Sequence, residues 1–355
     1  MTMNRRRALV SLGSLIAGVG FTSSIPRNAY AQGTRNAFSL HIGVDRPNPA
    51  AYPGGISPLK GCVNDANDYL DIAKKKKFQK SKLLKDGEAT IKEVTRYIFH
   101  AASHLNSGDI FFVTYAGHGT QVDDRSGDEA NDRKDEAWCL HDGLFLDDWQ
   151  YFLWSKFKPG VRILVVSDSC HSGTVSRVAS AARGLMADLA RGDGARTLGL
   201  APNARGSQGN TRSFADRLAR DGNVGVIADN IGLAPRTITP EQAEAAFTQP
   251  ERNPIYVSQQ REAGSASVPA SVGATGILLA GCQDHQLSWE ASTGRPGGLF
   301  TQQFKKSLAE NVQPTVGYSN FLDHIAQAMP EYQRPNFFPF GAEDDTFFNQ
   351  TPLTI

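Results

Sequence analysis

The chain is poor in cysteine, with four in 355 residues, at positions 62, 139, 170 and 282. That is too few for a disulfide framework in a chain of this size, and no C-x-x-C spacing exists to hold a structural zinc. Net charge is scarce too. Lys plus Arg exceed Asp plus Glu by one, which offers no electrostatic footprint for nucleic acid or an anionic membrane surface. Long apolar runs are lacking: the uncharged stretch from Ala8 to Phe21 is too short to span a bilayer comfortably. Internal repeats are absent. What remains, 40% hydrophobic and 21% charged residues, is an ordinary globular composition, long enough for one large domain or two modest ones.

The N-terminus stands apart from the fold. Arg5-Arg6-Arg7, the uncharged stretch and the A-x-A motif Ala29-Tyr30-Ala31 together form an export signal over residues 1–31. Arg6-Arg7 followed by Leu9 and Val10 resembles a twin-arginine leader, with Leu rather than Phe after the pair. An uncleaved membrane anchor is the competing reading. Cleavage removes four Arg and no acid, taking the net charge from +1 to −3. The expectation is a mildly acidic protein of a bacterial periplasm or exterior, with no membrane attachment after cleavage.

Two apolar runs carry the chemistry. Asp109-Ile-Phe-Phe-Val-Thr-Tyr-Ala-Gly-His-Gly119 delivers His118, and Val161-Arg-Ile-Leu-Val-Val-Ser-Asp-Ser-Cys-His-Ser-Gly173 delivers Cys170. Both read as buried parallel strands, and both stop at small or polar residues, where a parallel sheet opens its crevice. Either residue alone reads as a core Cys or a satisfied loop His. A Cys and a His on neighbouring strand ends, each near a Gly, instead suit an activated thiolate. His118 would take the thiol proton and later give it to a leaving amine, with a backbone carbonyl orienting the ring. The amides of Gly119 and Cys170 are the expected oxyanion donors, with Gly119 leaving room for a substrate carbonyl. His171, beside the nucleophile, is given no role.

Around these runs the pattern alternates strand and helix. Strands are expected at Ala37–Val44, Ser81–Lys85, Gly276–Ala280 and about 336–340, and helices at about 63–77, 90–105, 147–157, 300–308 and 320–329. The lysine run at 74–77 suits a helix C-terminus. Residues 174–274 change character: they are rich in Ala, Gly, Arg and Asn, contain no Lys, and show little apolar periodicity beyond a possible helix at 176–190.

These residues resemble the metacaspases, caspase-like cysteine peptidases, some bacterial members of which are called orthocaspases. The resemblance rests on Gly61-Cys-Val-Asn-Asp-Ala66, Tyr115-Ala-Gly-His-Gly119, Gly127-Asp-Glu with Asp135-Glu136, Asp147-Asp148 and Asp168-Ser-Cys-His-Ser-Gly173. Gly276 to Cys282 and Gly297-Gly-Leu-Phe-Thr301 match more weakly. It implies an α/β fold, a caspase-like three-layer sandwich with a mostly parallel six-stranded sheet covered by helices on both faces. Residues 37–173 would be a large-subunit-like part, 174–274 an Arg-rich insertion or processing linker, and 275–345 a small-subunit-like part of the same domain.

The resemblance also implies an endopeptidase with a His118–Cys170 dyad, working through an acyl-enzyme. Its substrate-binding residues would be Cys62, Asp65 and Asp168, the two carboxylates taking the guanidinium of a substrate Arg, with Lys as a second choice. Asp65 also suits the first turn of a helix, and Cys62, like Cys139 and Cys282, suits a buried small hydrophobe. Ala116 replaces a Ser common in relatives, which leaves the Arg/Lys balance open. The segment from Asp123 to Asp148 holds ten carboxylates, a density that suits either a solvated loop or a hard cation. By resemblance Asp135, Asp147 and Asp148 would bind Ca²⁺. Self-cleavage is expected at arginines such as Arg177, Arg183 or Arg191. Partners would be protein or peptide substrates with basic residues, and the enzyme itself a monomer. The competing readings are another arginine-specific member of the clan, gingipain- or clostripain-like, and a non-catalytic calcium-binding scaffold.

Overall fold

The computed structural model describes residues 35–123, 134–170, 233–247, 271–284, 286–291, 294–309 and 317–355. The export signal, the middle of the acidic segment and Arg177, Arg183 and Arg191 lie outside these residues.

A six-stranded sheet forms the centre, in the order β12–β9–β7–β3–β1–β2. Its strands are β1 (Ala37–Gly43), β2 (Lys80–Lys85), β3 (Ile110–Ala116), β7 (Arg162–Asp168), β9 (Thr275–Ala280) and β12 (Asn336–Gly341). All pair in parallel except β12, which is antiparallel to β9 and tolerates Pro339 because it is an edge strand. Strands from both sides of the 174–274 segment therefore share one sheet.

β3, β7 and β9 are largely apolar runs, yet the pleat sorts each into two faces. Ile110, Phe112, Leu164 and Val166 join Ile277 and Leu279 in one buried cluster. It is capped by Tyr69, Phe304 and Phe321 from α1 (Cys62–Lys75), α5 (Leu299–Ala309) and α6 (Tyr318–Gln327). Phe111, Val113, Ile163 and Val165 face the other way, towards α2 (Ile91–His104) and α3 (Asp147–Trp154). The result is the three-layer arrangement expected. Thr90 caps α2 by accepting from the Glu93 amide at 3.2 Å. α3 stops short of the expected residue 157, before Pro159 and the left-handed Gly160.

The acidic segment is not a loop throughout. β4 (Gly119–Asp123), β5 (Lys134–Leu140) and β6 (Gly143–Leu146) form a small antiparallel sheet, because Ala137, Cys139, Leu144 and Leu146 have an apolar face to bury. The 174–274 segment is likewise not structureless. It contributes β8 (Leu233–Pro235) and α4 (Pro240–Phe247). β8 pairs antiparallel with β10 (Trp289–Ala291), beside β11 (Gly297–Gly298). Three residues are too few to show a strand period, which is why the sequence concealed it.

Candidate active site

β3 and β7 are adjacent and in register, with Ala116 opposite Asp168, so the chain leaves both strands at the same edge of the sheet. His118 follows β3 by two residues and Cys170 follows β7 by two. The His118 carbonyl accepts from the Tyr115 hydroxyl at 2.6 Å and from the Cys139 amide at 2.9 Å, which fixes the backbone beneath the ring. The Nε2 atom lies 2.8 Å from the Ser57 carbonyl. A carbonyl only accepts, so Nε2 carries the proton and Nδ1 is the basic nitrogen. A backbone oxygen thus orients the imidazole. Nδ1 is buried without a hydrogen-bond partner among the described residues. Burial, with the Arg236 charge adding to it, pushes His118 down to about 4, while the Ser57 carbonyl and the Thr237 backbone pull the other way.

The Cys170 thiol is buried and turned towards Ser288: Sγ accepts from the Ser288 amide at 2.8 Å and donates to its carbonyl at 3.3 Å. The expected Cys–His hydrogen bond is not made in this arrangement. All four cysteines are buried free thiols.

The site is filled by the chain itself. The Arg236 carbonyl accepts from the amides of Gly119 and Cys170, both at 3.1 Å, the two expected oxyanion donors. Gly119 is needed for another reason than the one anticipated. A Cβ there would overlap the Cys170 carbonyl rather than a substrate carbonyl.

The Arg236 side chain runs into a fully buried acidic pocket. Nη1 sits 3.1 Å from Asp168 and also donates to the Asp168 carbonyl at 3.1 Å, while Nη2 meets Asp65 at 2.5 Å and Glu290 at 3.3 Å. Burial works against the arginine's charge, but the surrounding acids outweigh it and hold the guanidinium protonated. Desolvation pushes Asp65 up to about 7 against the pull of Arg236.

Three carboxylates persist here because each is braced. Asp168 accepts from the Thr301 amide at 3.0 Å, the Thr301 hydroxyl at 2.6 Å and the Ser288 hydroxyl. Asp65 accepts from the Gly298 amide at 2.8 Å, and Glu290 from the Lys60 and Gly61 amides at 2.8 and 3.2 Å. Thr301 lies in the first turn of α5, Gly61 and Gly298 immediately precede α1 and α5, and Asp65 itself sits in the first turn of α1, so two helix N-termini add their positive ends. Asp65 is thus both an acid in the first turn of α1 and a wall of the pocket that holds Arg236. Gly298 is forced: a Cβ there would overlap both the Asp168 carboxylate and the Arg236 guanidinium.

Cys62 lies at the wall of this pocket, buried, its thiol 3.7 Å from Glu290. Ala116 packs in a small cluster with Leu59 and Cys62, against Ala234. Sequence reasoning missed Arg236 and Glu290. One is an arginine among many in a segment without periodicity, and the other a lone acid outside any motif.

The third expected set also converges. Asp135, Asp147 and Asp148 can each bring a carboxylate oxygen within 4.8 Å of the others. Asp147 bridges the Glu136 and Asp148 amides, both at 3.1 Å. Such an all-oxygen donor set fits a hard cation.

A mostly parallel six-stranded sheet with a Cys and a His at one edge, beside two amides that hold a carbonyl, has the make-up of a caspase-type cysteine peptidase. A caspase-domain family model matches residues 48–347, and the chain belongs to that family. Among its relatives it is similar to metacaspase-1 of Kluyveromyces lactis, 25% identical over 89% of this chain and 69% of that protein. It is also similar to metacaspase-4 of Arabidopsis thaliana, 32% identical over 34% of this chain and 31% of that one. A crystal structure of a Geobacter sulfurreducens protein superposes with a TM-score of 0.65 at 31% identity, covering 90% of this chain and 99% of that one. The protein is thus a metacaspase-like cysteine peptidase. No helix among the described residues is long and apolar enough to cross a membrane.

Proposed function

We propose that the protein is an endopeptidase that cleaves after arginine, and that its own Arg236–Thr237 bond is its first substrate. One observation carries this reading: Arg236 lies as a bound substrate would, side chain among Asp65, Asp168 and Glu290, carbonyl on the Gly119 and Cys170 amides. Leu233–Pro235 extends it as a strand on β10, the way a peptide adds to a sheet edge. The sites expected at 177, 183 and 191 fall outside the described residues, and the geometry favours residue 236.

The chemistry follows from these positions. The Cys170 thiol rotates from Ser288 and Sγ bonds to the Arg236 carbonyl carbon, its proton passing to His118 Nδ1. The carbonyl oxygen takes up negative charge against two amide donors, each typically worth about 2.7–4 kcal/mol of barrier. His118 then protonates the Thr237 nitrogen as the peptide bond breaks, leaving a thioester that water hydrolyses.

Arginine suits this pocket better than lysine, because its two terminal nitrogens meet carboxylates on different walls. A single ammonium cannot match that fork. Calcium would be held by Asp135, Asp147 and Asp148 and would neutralise their charge, tying the start of β5 to α3 near the strand pair that positions Gly119. The twin-arginine-type leader supports export from a bacterial cytoplasm.

The reading is tested with fluorogenic peptides ending in Arg, Lys or Asp, in millimolar Ca²⁺ or EDTA, using wild type and Cys170→Ala. Arg cleavage exceeding Lys, stimulated by calcium and lost in the variant, is expected. Cleavage after Asp would sink the pocket assignment, and equal rates in EDTA the calcium site. A pH profile adds a second check. Buried His118 stays neutral down to about 4 in the closed site. With the segment displaced it returns towards an ordinary value of about 6.5. The acid limb of self-cleavage should therefore lie at lower pH than that of peptide hydrolysis, by as much as about two units. Coincident limbs would show that the segment does not shield the histidine.

A further inference from the structure

Beyond the scissile bond the chain does not drift into solvent. Thr237 is buried, bridges in parallel to Gly119, and donates from its hydroxyl to the Gly119 carbonyl at 3.3 Å. Ile238 is 2% exposed and belongs to one buried apolar cluster with Tyr52, Val122, Ala137, Cys139, Leu144 and Leu146. Those six come from the small β4–β5–β6 sheet and the loop before α1. The Tyr52 hydroxyl lies 2.5 and 2.9 Å from the carbonyls of Leu140 and Gly143, pinning that loop to the sheet.

Immediately afterwards a helix begins. The Thr239 hydroxyl accepts from the Gln242 amide at 3.2 Å and the Gln242 side chain accepts from the Thr239 amide at 2.8 Å, a reciprocal capping box. α4 then lays Ala243 and Phe247 into the same cluster. Ile238 and α4 are thus held by apolar burial, whereas the arginine is held by charge.

We propose that this face of the β4–β5–β6 sheet is a second substrate subsite, taking an aliphatic side chain two residues after the cleaved bond. Its occupant here is the chain's own Ile238, presented by the capped helix. The inference rests on the reading of Arg236–Thr237 as the scissile bond and adds a requirement to it: arginine alone does not make a good cleavage site. The preferred protein substrate carries Arg, one small or polar residue, then Ile, Val or Leu, ahead of a helix start. The subsite positions the leaving side of the peptide bond under His118, so losing its occupant should slow scission without altering the arginine pocket.

The test follows the first-order appearance of a Thr237 N-terminus by intact-mass spectrometry in the full chain. It compares wild type with Ile238→Val, Ile238→Ala and Ile238→Asp. Each is also assayed on Leu-Ala-Pro-Arg-aminomethylcoumarin, which has no amino acid after its arginine. Self-cleavage should fall about tenfold to a hundredfold in Ile238→Asp, the scale of one lost buried aliphatic side chain, and stay close to wild type in Ile238→Val. Coumarin release, measured per chain already cut after Arg236, should not fall. Equal self-cleavage in all four chains would overturn the proposal. Loss of coumarin release per cut chain, in the Ala and Asp variants alike, would do so too, by assigning Ile238 to the fold alone. Coumarin release by wild type without a Thr237 N-terminus would overturn the scissile-bond reading and this inference with it. No release from any arginyl substrate would instead remove the arginine specificity on which both depend.

Discussion

Replacing Arg236 by Gln should abolish the cut between residues 236 and 237 while sparing the capacity of Cys170 to act on added peptides. Gln is neutral and cannot satisfy carboxylates at Asp65, Asp168 and Glu290 together, so the segment loses the charge that seats it. Removing one partner of a buried ion pair typically costs about 3–5 kcal/mol, because the remaining charge is left unpaired. Here part of that cost is offset as the segment lifts and water enters. The variant should melt several degrees lower and hydrolyse an arginyl peptide without prior scission, since nothing occupies the pocket. Arg236→Lys should be intermediate, self-cleaving about tenfold to a hundredfold more slowly for the loss of one charged hydrogen bond. Mapping N-termini by mass spectrometry checks both. A Thr237 N-terminus in the Gln variant at the wild-type rate would mean that recognition lies elsewhere.

Asp168→Asn should lower kcat/KM on arginyl peptides by between about thirtyfold and a few thousandfold, the 2–5 kcal/mol range for truncating a buried charge pair. The side chain faces the guanidinium and three donors, the Thr301 amide and hydroxyl and the Ser288 hydroxyl. An amide NH₂ placed against any of these is a mismatch. Much of the loss should appear in KM, because the pocket holds the arginine in ground and transition state alike. Alkylation of Cys170 by a small neutral reagent provides the control. If alkylation slows as much as peptide cleavage, the substitution has disturbed Ser288 and the thiol it contacts rather than the pocket.

Both effects depend on one design. Two helix N-termini and a ring of backbone amides hold three acids together in a volume closed to solvent. Without a cation the pocket carries uncompensated negative charge. With the chain's own arginine inside, that charge is partly offset and the site is shut. Displacing Arg236 therefore opens the site and creates the demand for a substrate of the same chemistry.

Much of this could be read from the chain before folding was considered. The runs at 110–116 and 162–168 had to be central strands, because each is apolar on both faces and ends in small or polar residues. Adjacent strands that end alike bring His118 and Cys170 to one edge, and the helices followed from their apolar spacing. Family resemblance pairs Asp65 with Asp168 and groups Asp135, Asp147 and Asp148, and the structure brings each set together in space.

What only the tertiary structure decided is how the pocket is completed and what fills it. Arg236 and Asp65 are 171 residues apart, and Glu290 lies 54 beyond Arg236, so no local period or spacing links them. Charge pairing depends on distance in space, and in sequence Arg236 and Glu290 look like ordinary surface charges. The short strand at 233–235 exists only because β10 offers it a partner, and α4 settles on an apolar face that the small sheet creates. Local pattern encodes which faces must be buried. Which arginine enters the acidic pocket is fixed only when distant parts of the chain meet.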